Sequence, residues 1–202
     1  MGIEKIIKKE KFMIGIWKIT ENIEELEQIA KDAKIKQKYQ NKKRNREFIT
    51  SRLLLQKINP EYFIRYNKLG APILNNKKYI SISHSNKITA IMISSLPVGI
   101  DIEEQSKRAL KVSAKFINKE NIKKLNDDKA TIIWSAKEAI YKWNLEKSVD
   151  FIKDIKIEDF KVKNRGVLQA YFRKKIVKLN YQKIYNHYLV YICQNKPKNE
   201  YL

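Results

Sequence analysis

Near the midpoint of the 202-residue chain stands the stretch Pro97-Val98-Gly99-Ile100-Asp101-Ile102-Glu103-Glu104, which has the composition of a short strand. Side chains alternate between the two faces of a strand, so Asp101 and Glu103 share one face, while Ile100 and Ile102 point into the core. Two carboxylates this close repel each other and favour a positive partner. That partner is either a hard cation such as Mg²⁺ or the lysines around a solvent-facing edge strand, and the stretch alone leaves both interpretations open.

Length and composition indicate a folded and strongly basic protein. A chain of 202 residues can bury a sizeable core as one domain or as two small ones. Lysine and arginine number 43 against 22 acidic residues, for a net charge of +21. This excess favours acidic or polyanionic partners, but it is spread along the chain together with many Ile and Asn residues, as A/T-rich codons would also produce. Charge by itself therefore does not identify a partner.

The sequence argues against several classes of protein. A single cysteine, Cys193, excludes an internal disulfide framework, and two histidines are too few for the usual zinc spacings. Lys11 and Lys18 bracket the apolar run at 12–17, so no secretory signal is predicted. The longest uncharged run, at 88–100, is shorter than the ~20 residues of a membrane helix. We expect a cytoplasmic protein without a membrane segment.

The first half is predicted to mix strands with two helices. A strand at 12–19 precedes a helix that starts near Asn22, and a second helix runs from Ile35 to Ile58, ended by Pro60. A turn follows at 68–72. The later strands are predicted at 79–83, 88–94 and 98–103, with successive strands pairing antiparallel. His84 then lies in a strand-to-turn corner, as a hydrogen-bonded turn histidine or as a phosphate contact.

The second half is predicted to carry helices and then a β-meander. The helices are a short one near 109–116, one capped by Asn118 that ends near 125, and the strongest one at 129–145. The meander strands are predicted at 155–160, 166–173, 177–185 and 188–194. In the strongest helix Trp134, Glu138 and Lys142 share a face at i, i+4 and i+8. By spacing alone, Glu138 and Lys142 form an ordinary helix ion pair worth about 0.2 to 0.5 kcal/mol.

Three segments in order resemble the signature motifs of the 4′-phosphopantetheinyl transferases, of the larger, single-chain, surfactin-synthetase-activating type. They are Ser81-Ile82-Ser83-His84-Ser85, Val98-Gly99-Ile100-Asp101-Ile102-Glu103 and Trp134-Ser135-Ala136-Lys137-Glu138-Ala139-Ile140-Tyr141-Lys142. The pattern Gly-Ile-Asp-Ile-Glu followed by Trp-x-x-Lys-Glu-x-x-x-Lys is highly specific as a pair, and neither part would be so alone. The resemblance extends from about Arg46 to Trp143.

This resemblance implies an α+β fold of two similar halves, residues 1–97 and 98–202. Each half packs helices on a small antiparallel sheet, and a pseudo-two-fold relates the halves, with the active site in the cleft between them. The chain departs from the family pattern at one turn of the first half, where the family has Gly-Lys-Pro and this sequence has Gly70-Ala71-Pro72. The lysine that would contact the coenzyme is therefore missing, and Lys68 or another neighbour would replace it. In the second half an acidic position of the family falls on Asn121, beside Glu120.

The resemblance further implies a set of site residues. Three carboxylates would hold Mg²⁺, with Mn²⁺ as an alternative, against the pyrophosphate of coenzyme A: Asp101, Glu103 and Glu138. Six side chains would contact the phosphates and the nucleotide end of coenzyme A: Arg46, Arg52, Ser83, His84, Lys137 and Lys142. Glu138 and Lys142 would also act in catalysis, Glu138 as the base that accepts a serine proton.

The function implied is Mg²⁺-dependent transfer of 4′-phosphopantetheine from coenzyme A to a serine of an acidic acyl or peptidyl carrier protein, with release of 3′,5′-ADP. We expect a monomer that binds neither membranes nor nucleic acid. One alternative is a nucleic-acid-binding module, favoured by the basic segment from Lys31 to Arg52. Another is a metal-dependent nuclease or phosphatase that uses the same carboxylates and hydrolyses phosphodiesters without coenzyme A. The carrier protein, its pathway and the acceptance of acyl-coenzyme A stay open.

Overall fold

The computed structural model describes residues 3–36, 39–118, 125–145 and 148–196. The chain divides into two compact units, residues 1–95 and residues 96–202. Each unit carries one antiparallel sheet, and the described parts hold four α-helices in all, so the predicted α+β class is confirmed. None of the described helices is long and apolar enough to cross a membrane.

The N-terminal unit is a six-stranded antiparallel sheet with two helices. Its elements are β1 (Ile3–Lys8), β2 (Phe12–Lys18), α1 (Ile23–Asp32), α2 (Lys42–Ile58), β3 (Ile64–Tyr66), β4 (Pro72–Leu74), β5 (Tyr79–Ser85) and β6 (Ile88–Ser94). The strand order is β1-β2-β6-β5-β4-β3. Both helices contribute to a core that includes Trp17, Leu26, Ile49, Leu54 and Ile91. The apolar stripes of α1 and α2 therefore cover one face of this sheet.

Capping residues set where the two helices begin. Asn22 and Glu25 form a capping box at α1. The predicted start of the second helix at Ile35 is wrong, because α2 begins at Lys42, where the Asn41 side chain accepts a hydrogen bond from the backbone N–H of Arg44. Lys34 has a positive φ just after α1, which closes the first helix there.

Strand pairing in this unit differs from the prediction in two ways. His84 lies within β5, opposite Thr89 of β6, and the turn comes only at Asn86 and Lys87, so the predicted corner position of His84 is wrong. The next strand of the chain does not pair with β6 but belongs to the other sheet. Strands β1, β3 and β4 are absent from the prediction, because they are edge or three-residue strands without clean alternation.

The C-terminal unit is a five-stranded antiparallel sheet with one long helix. Its elements are β7 (Val98–Glu104), α3 (Lys107–Lys111), a 3-10 turn (Ser113–Lys115), α4 (Asp127–Asn144), β8 (Ile155–Ile157), β9 (Arg165–Phe172), β10 (Lys175–Ile184) and β11 (His187–Cys193). The strand order β7-β11-β10-β9-β8 confirms the predicted meander and joins β7 to its end. Asn126 caps α4, which packs on the sheet through Ile140 and Trp143. The predicted helix at 118–125 falls largely outside the described residues.

Gly99 marks the closest approach of β7 to α4. A Cβ atom at Gly99 would lie 1.9 Å from the carbonyl oxygen of Ala139 and 2.8 Å from the backbone nitrogen of Trp143. Both atoms belong to the helix backbone, so they cannot move aside as a side chain could. The strand backbone therefore lies directly against the helix, and Asp101, two residues further along β7, is on the face that meets the helix.

Gly99→Ala is expected to lower the free energy of unfolding by at least about 3 kcal/mol, because the added methyl group forces the two backbones apart. Gly15→Ala is the matched control, since a Cβ there meets only the side chains of Ile58 and Leu54, which can shift. Urea denaturation of both variants measures the difference. Equal, small losses in the two variants would mean that β7 and α4 are not packed this closely.

Candidate active site

The acidic face of β7 lies on the same side of the sheet as α4. Asp101 and Glu103 stand opposite Val190 and Tyr188 of β11, and these two residues belong to the core that α4 covers. Ile100 and Ile102 lie on the other face and are fully buried. Asp101 is also buried, so the structure rules out the solvent-facing interpretation for this carboxylate.

Lys142 of α4 reaches across to β7. Its Nζ donates to Asp101 Oδ1 at 2.7 Å and to the carbonyl oxygen of Ile100 at 3.1 Å. The Asp101 side chain is 4% exposed and that of Lys142 is 26% exposed. Lys142 therefore does more than form a pair within its own helix, because it neutralises a buried carboxylate from a strand 41 residues earlier.

Glu103 and Glu138 share the environment of Asp101. Burial, and after it the nearby Asp101 charge, raise the pKa of Glu103 from its ordinary 4.5 to about 7, against the opposing effects of Trp134, Lys142 and Arg108. The pKa of Glu138 is raised by the same two causes, burial first, with Lys142 opposing them. The cations of the site thus do not fully offset the burial of these two carboxyl groups and their repulsion by Asp101.

Trp134 is a site residue whose role the sequence analysis missed. Its Nε1 donates to Glu103 Oε1 at 3.3 Å. The indole ring packs against Phe116 and Phe151, with ring centroids 5.1 and 5.7 Å away. The spacing of Trp134 from Glu138 and Lys142 was the available signal, since it puts all three on one helix face.

Lys137 does not join this group. Its buried ammonium donates to the carbonyl oxygens of Phe151 and Ile155. Burial lowers its pKa to about 8, although Asp150 opposes that change. One residue along a helix turns the side chain by about 100°, which points Lys137 away from the face of Glu138. These contacts differ from the phosphate-facing position that the resemblance implies.

The carboxylates suit a hard cation in donor type and in charge. Divalent ions such as Mg²⁺ prefer carboxylate oxygens, and a cation near Asp101 would relieve the repulsion that raises the pKa of Glu103 and Glu138. Among the described residues, no three His, Cys, Asp or Glu side chains are gathered closely enough to form a ready-made metal cluster. The three predicted ligands therefore have the chemistry that Mg²⁺ prefers, but they are not already arranged as a complete metal site.

Residues 97–193 match the family model of the 4′-phosphopantetheinyl transferase superfamily. The matched region is just under half of the chain and contains β7, α4 and the meander. A search of the curated proteins finds no match. The superfamily match indicates a transferase of the phosphopantetheinyl group, and it falls on the unit in which Asp101, Glu103, Glu138 and Lys142 come together.

The arginines and the histidine of the predicted coenzyme site lie in the N-terminal unit, outside the superfamily match. Arg52 stacks on the Phe48 ring, with its guanidinium carbon 3.8 Å from the ring centroid, and donates to the Tyr66 hydroxyl at 2.7 Å. The buried Nε of Arg46 makes no hydrogen bond within the described residues. Arg46 lies one turn before Thr50, whose hydroxyl bonds Thr89, the cross-strand partner of His84. The Thr50–Thr89 hydrogen bond therefore joins the helix of Arg46 to the strand pair that holds His84.

Ser83 lies on the opposite face of β5 from His84. It is buried and stands opposite Ala90, and strand alternation sends neighbouring side chains to opposite faces. His84 is on the side of Ile80 and Ile82, which pack with α1 and α2. The structure thus places His84 on the face of β5 that the helices cover, and Ser83 on the opposite face.

The raised pKa of Glu103 predicts how stability changes with pH. The folded protein holds a proton that the unfolded chain releases between about pH 4.5 and 7, so the free energy of unfolding falls as the pH rises through this window. Because Glu103 is only partly buried, we expect a loss on the order of 1 to 2 kcal/mol instead of the full shift.

Glu103→Gln should flatten this dependence, since its amide does not titrate. Urea denaturation of the metal-free protein at pH 4.5, 5.5, 6.5 and 7.5 measures the slope. Glu61→Gln, which removes an exposed carboxyl of the other unit, is the control. A slope that Glu103→Gln leaves unchanged would show that this carboxyl is not the group that titrates.

Proposed function

We propose that the protein transfers 4′-phosphopantetheine from coenzyme A to a serine of an acyl or peptidyl carrier protein, as a transferase of the larger single-chain type. The main support is the convergence of Asp101, Glu103, Glu138 and Lys142 within the region of the superfamily match. In this reaction the serine oxygen forms a bond to the phosphorus that bears pantetheine. The bond from that phosphorus to the bridging oxygen breaks, and 3′,5′-ADP leaves.

Glu138 is proposed as the base that accepts the serine proton. Its raised pKa suits the role, because a general base works best when its pKa lies near the working pH. Glu138 is half-buried, so an incoming hydroxyl can approach it directly or through a water molecule. Lys142, one turn further along α4, is proposed to stabilise negative charge that develops on the phosphates.

Asp101, Glu103 and Glu138 are the proposed ligands of Mg²⁺, with Mn²⁺ as an alternative. A bound divalent ion would neutralise charge on the pyrophosphate of coenzyme A. The protein's own contribution is to hold these carboxylates: Trp134 bonds Glu103, and the tight packing at Gly99 fixes β7 against α4. Among the residues named for this role, Asp101 is the most buried.

Arg46 and Arg52 are the proposed contacts to the phosphates of coenzyme A. His84 and Ser83 are the proposed contacts to its nucleotide end, although their side chains lie on opposite faces of β5. Arg46 is the best supported, because its buried Nε lacks a hydrogen-bond partner among the described residues. Arg52 has its guanidinium held by a ring and a hydroxyl, so it would act as a preset positive group. Lys137 is left out of the proposal, since its ammonium is already bonded to two carbonyl groups.

The carrier protein is proposed to be acidic. A net charge of +21 would steer an acidic partner towards the enzyme and raise the rate of encounter. We propose that the enzyme acts as a monomer in the cytoplasm, with halves that correspond to residues 1–97 and 98–202. The predicted roles of Glu120 and Asn121 concern residues outside the described ranges.

The proposal is tested by incubating the protein with coenzyme A, Mg²⁺ and a panel of apo carrier proteins. We expect intact mass to show one added phosphopantetheinyl group, which chelator abolishes and which a carrier with serine replaced by alanine does not acquire. Release of 3′,5′-ADP should match the mass gain. Hydrolysis of a phosphodiester without coenzyme A, and without modification of any carrier, would support the phosphodiesterase alternative instead.

A further inference from the structure

The ammonium of Lys142 lies on the carboxylate that is the most buried of the proposed metal ligands. It contacts Asp101 Oδ1 at 2.7 Å and the Ile100 carbonyl at 3.1 Å, so two oxygens of β7 already bind one positive charge. A divalent cation bound through Asp101 would stand within a few ångströms of this ammonium. Like charges at that distance repel strongly, even where water screens them.

The side chain of Lys142 is able to leave its contact with Asp101. Its side chain is 26% exposed, whereas that of Asp101 is 4% exposed. A lysine has a long flexible stem, and an ammonium at a partly open position can rotate into water without becoming a buried, unpaired charge. Asp101 cannot move in the same way, because its strand packs backbone to backbone against α4 at Gly99.

We propose that Lys142 is the resident counter-ion of the carboxylate group, and that it competes with the divalent cation for Asp101. Binding of the cation displaces the ammonium from Asp101 and turns it outward, where a phosphate can meet it. Lys142 thus weakens metal binding by the free protein, while it contributes to transfer once the metal is bound. The inference rests on the proposed function only for the role of the metal.

The inference predicts effects of opposite sign for one substitution. Lys142→Met keeps the length and apolar stem of the side chain but removes the competing charge. The metal should then bind more tightly, while transfer becomes slower. A lysine that only contacted phosphates would leave metal binding by the free protein unchanged, and one that only supported the local packing would weaken metal binding when it is replaced.

The experiment titrates the free protein with Mn²⁺ alone and measures unbound Mn²⁺ by electron paramagnetic resonance. We expect the Kd of Lys142→Met to be at least tenfold lower than that of the wild type, in keeping with the removal of a nearby like charge. Lys129→Met is the matched control, because Lys129 lies on the same helix and pairs with Asp159. Its Kd should equal that of the wild type.

A second comparison tests whether the competition takes place at Asp101. In an Asp101→Asn background, Lys142→Met should tighten Mn²⁺ binding by much less than in the native background, since the contested carboxylate has gone. The inference is overturned if the Kd of Lys142→Met for Mn²⁺ equals or exceeds that of the wild type. It is also overturned if Lys142→Met lowers the Kd by the same factor with and without the Asp101 carboxylate. Failure of the proposed function would be seen in a different experiment, in which the wild-type protein would not modify any carrier protein.

Discussion

Asp101→Asn is expected to reduce carrier modification on the order of 10³-fold or more. The substitution keeps the shape of the side chain but removes a negative charge that is almost completely buried. A charge in such a site interacts more strongly than one in water, and a metal site loses most of its affinity when a charged ligand becomes neutral. Initial rates of 3′,5′-ADP release, at saturating coenzyme A, measure the effect.

Glu104→Gln is the control for Asp101→Asn. Glu104 lies on the same strand, and alternation places it on the other face from Glu103. We expect this variant to retain the wild-type rate within about twofold, since it removes a carboxyl group from the face of β7 that does not carry the proposed site. Asp101→Asn with wild-type rates, at a wild-type melting temperature, would remove Asp101 from the proposed site.

Local periodicity was sufficient to predict the two elements that carry the site. Alternation in β7 correctly placed Asp101 and Glu103 on one face, and helical spacing placed Glu138 and Lys142 on one face of α4. These patterns depend only on neighbours in the sequence, so they need no tertiary information. The superfamily match adds support in the same region.

Contacts between distant segments could not be predicted in this way. Spacing within α4 pairs Lys142 with Glu138, but the structure shows that its ammonium bonds Asp101 on β7. The partners of Lys137 are carbonyl groups of the 148–157 region, and carbonyl groups leave no side-chain signal in a sequence. The pairing of β7 with β11 likewise joins segments about 90 residues apart, which proximity in the sequence wrongly assigned to β6.

Helix and strand limits depended on single polar residues. Helix α2 starts at Lys42, seven residues after the position that hydrophobic periodicity favoured, since the side chain of Asn41 caps the helix there. His84 belongs to β5 because the pairing of β5 with β6 continues through His84 and Thr89. This change matters for the proposed coenzyme site, because side chains alternate between the two faces of a strand. Ser83 and His84, as neighbours within β5, therefore point to opposite faces.

Lys142→Ala is expected to lower the transfer rate about 10²-fold at saturating coenzyme A. The loss has the size found when one donor that stabilises a transition state is removed. Saturation with coenzyme A separates this effect from weaker binding, because a residue that binds only the ground state would change KM and leave kcat unaltered. Single-turnover rates, read by intact mass of the carrier, report the chemical step.

The structure also predicts a change in stability for Lys142→Ala. Asp101 would keep its buried position without the ammonium that now contacts it at 2.7 Å. We expect the free energy of unfolding to fall by about 1 to 3 kcal/mol, less than for a fully buried pair because Lys142 is partly exposed. Lys129→Ala, which removes the pair with the exposed Asp159, should lower it by no more than about 1 kcal/mol.

Lys142→Arg separates charge from geometry. Arginine retains the positive charge, but its planar fork cannot reproduce a compact ammonium between Asp101 Oδ1 and the Ile100 carbonyl. Stability should therefore be largely restored, while the transfer rate stays well below that of the wild type and above that of Lys142→Ala. If Lys142→Ala unfolds at a lower denaturant concentration yet transfers at the wild-type rate, Lys142 only balances the charge of Asp101 and takes no part in the chemistry.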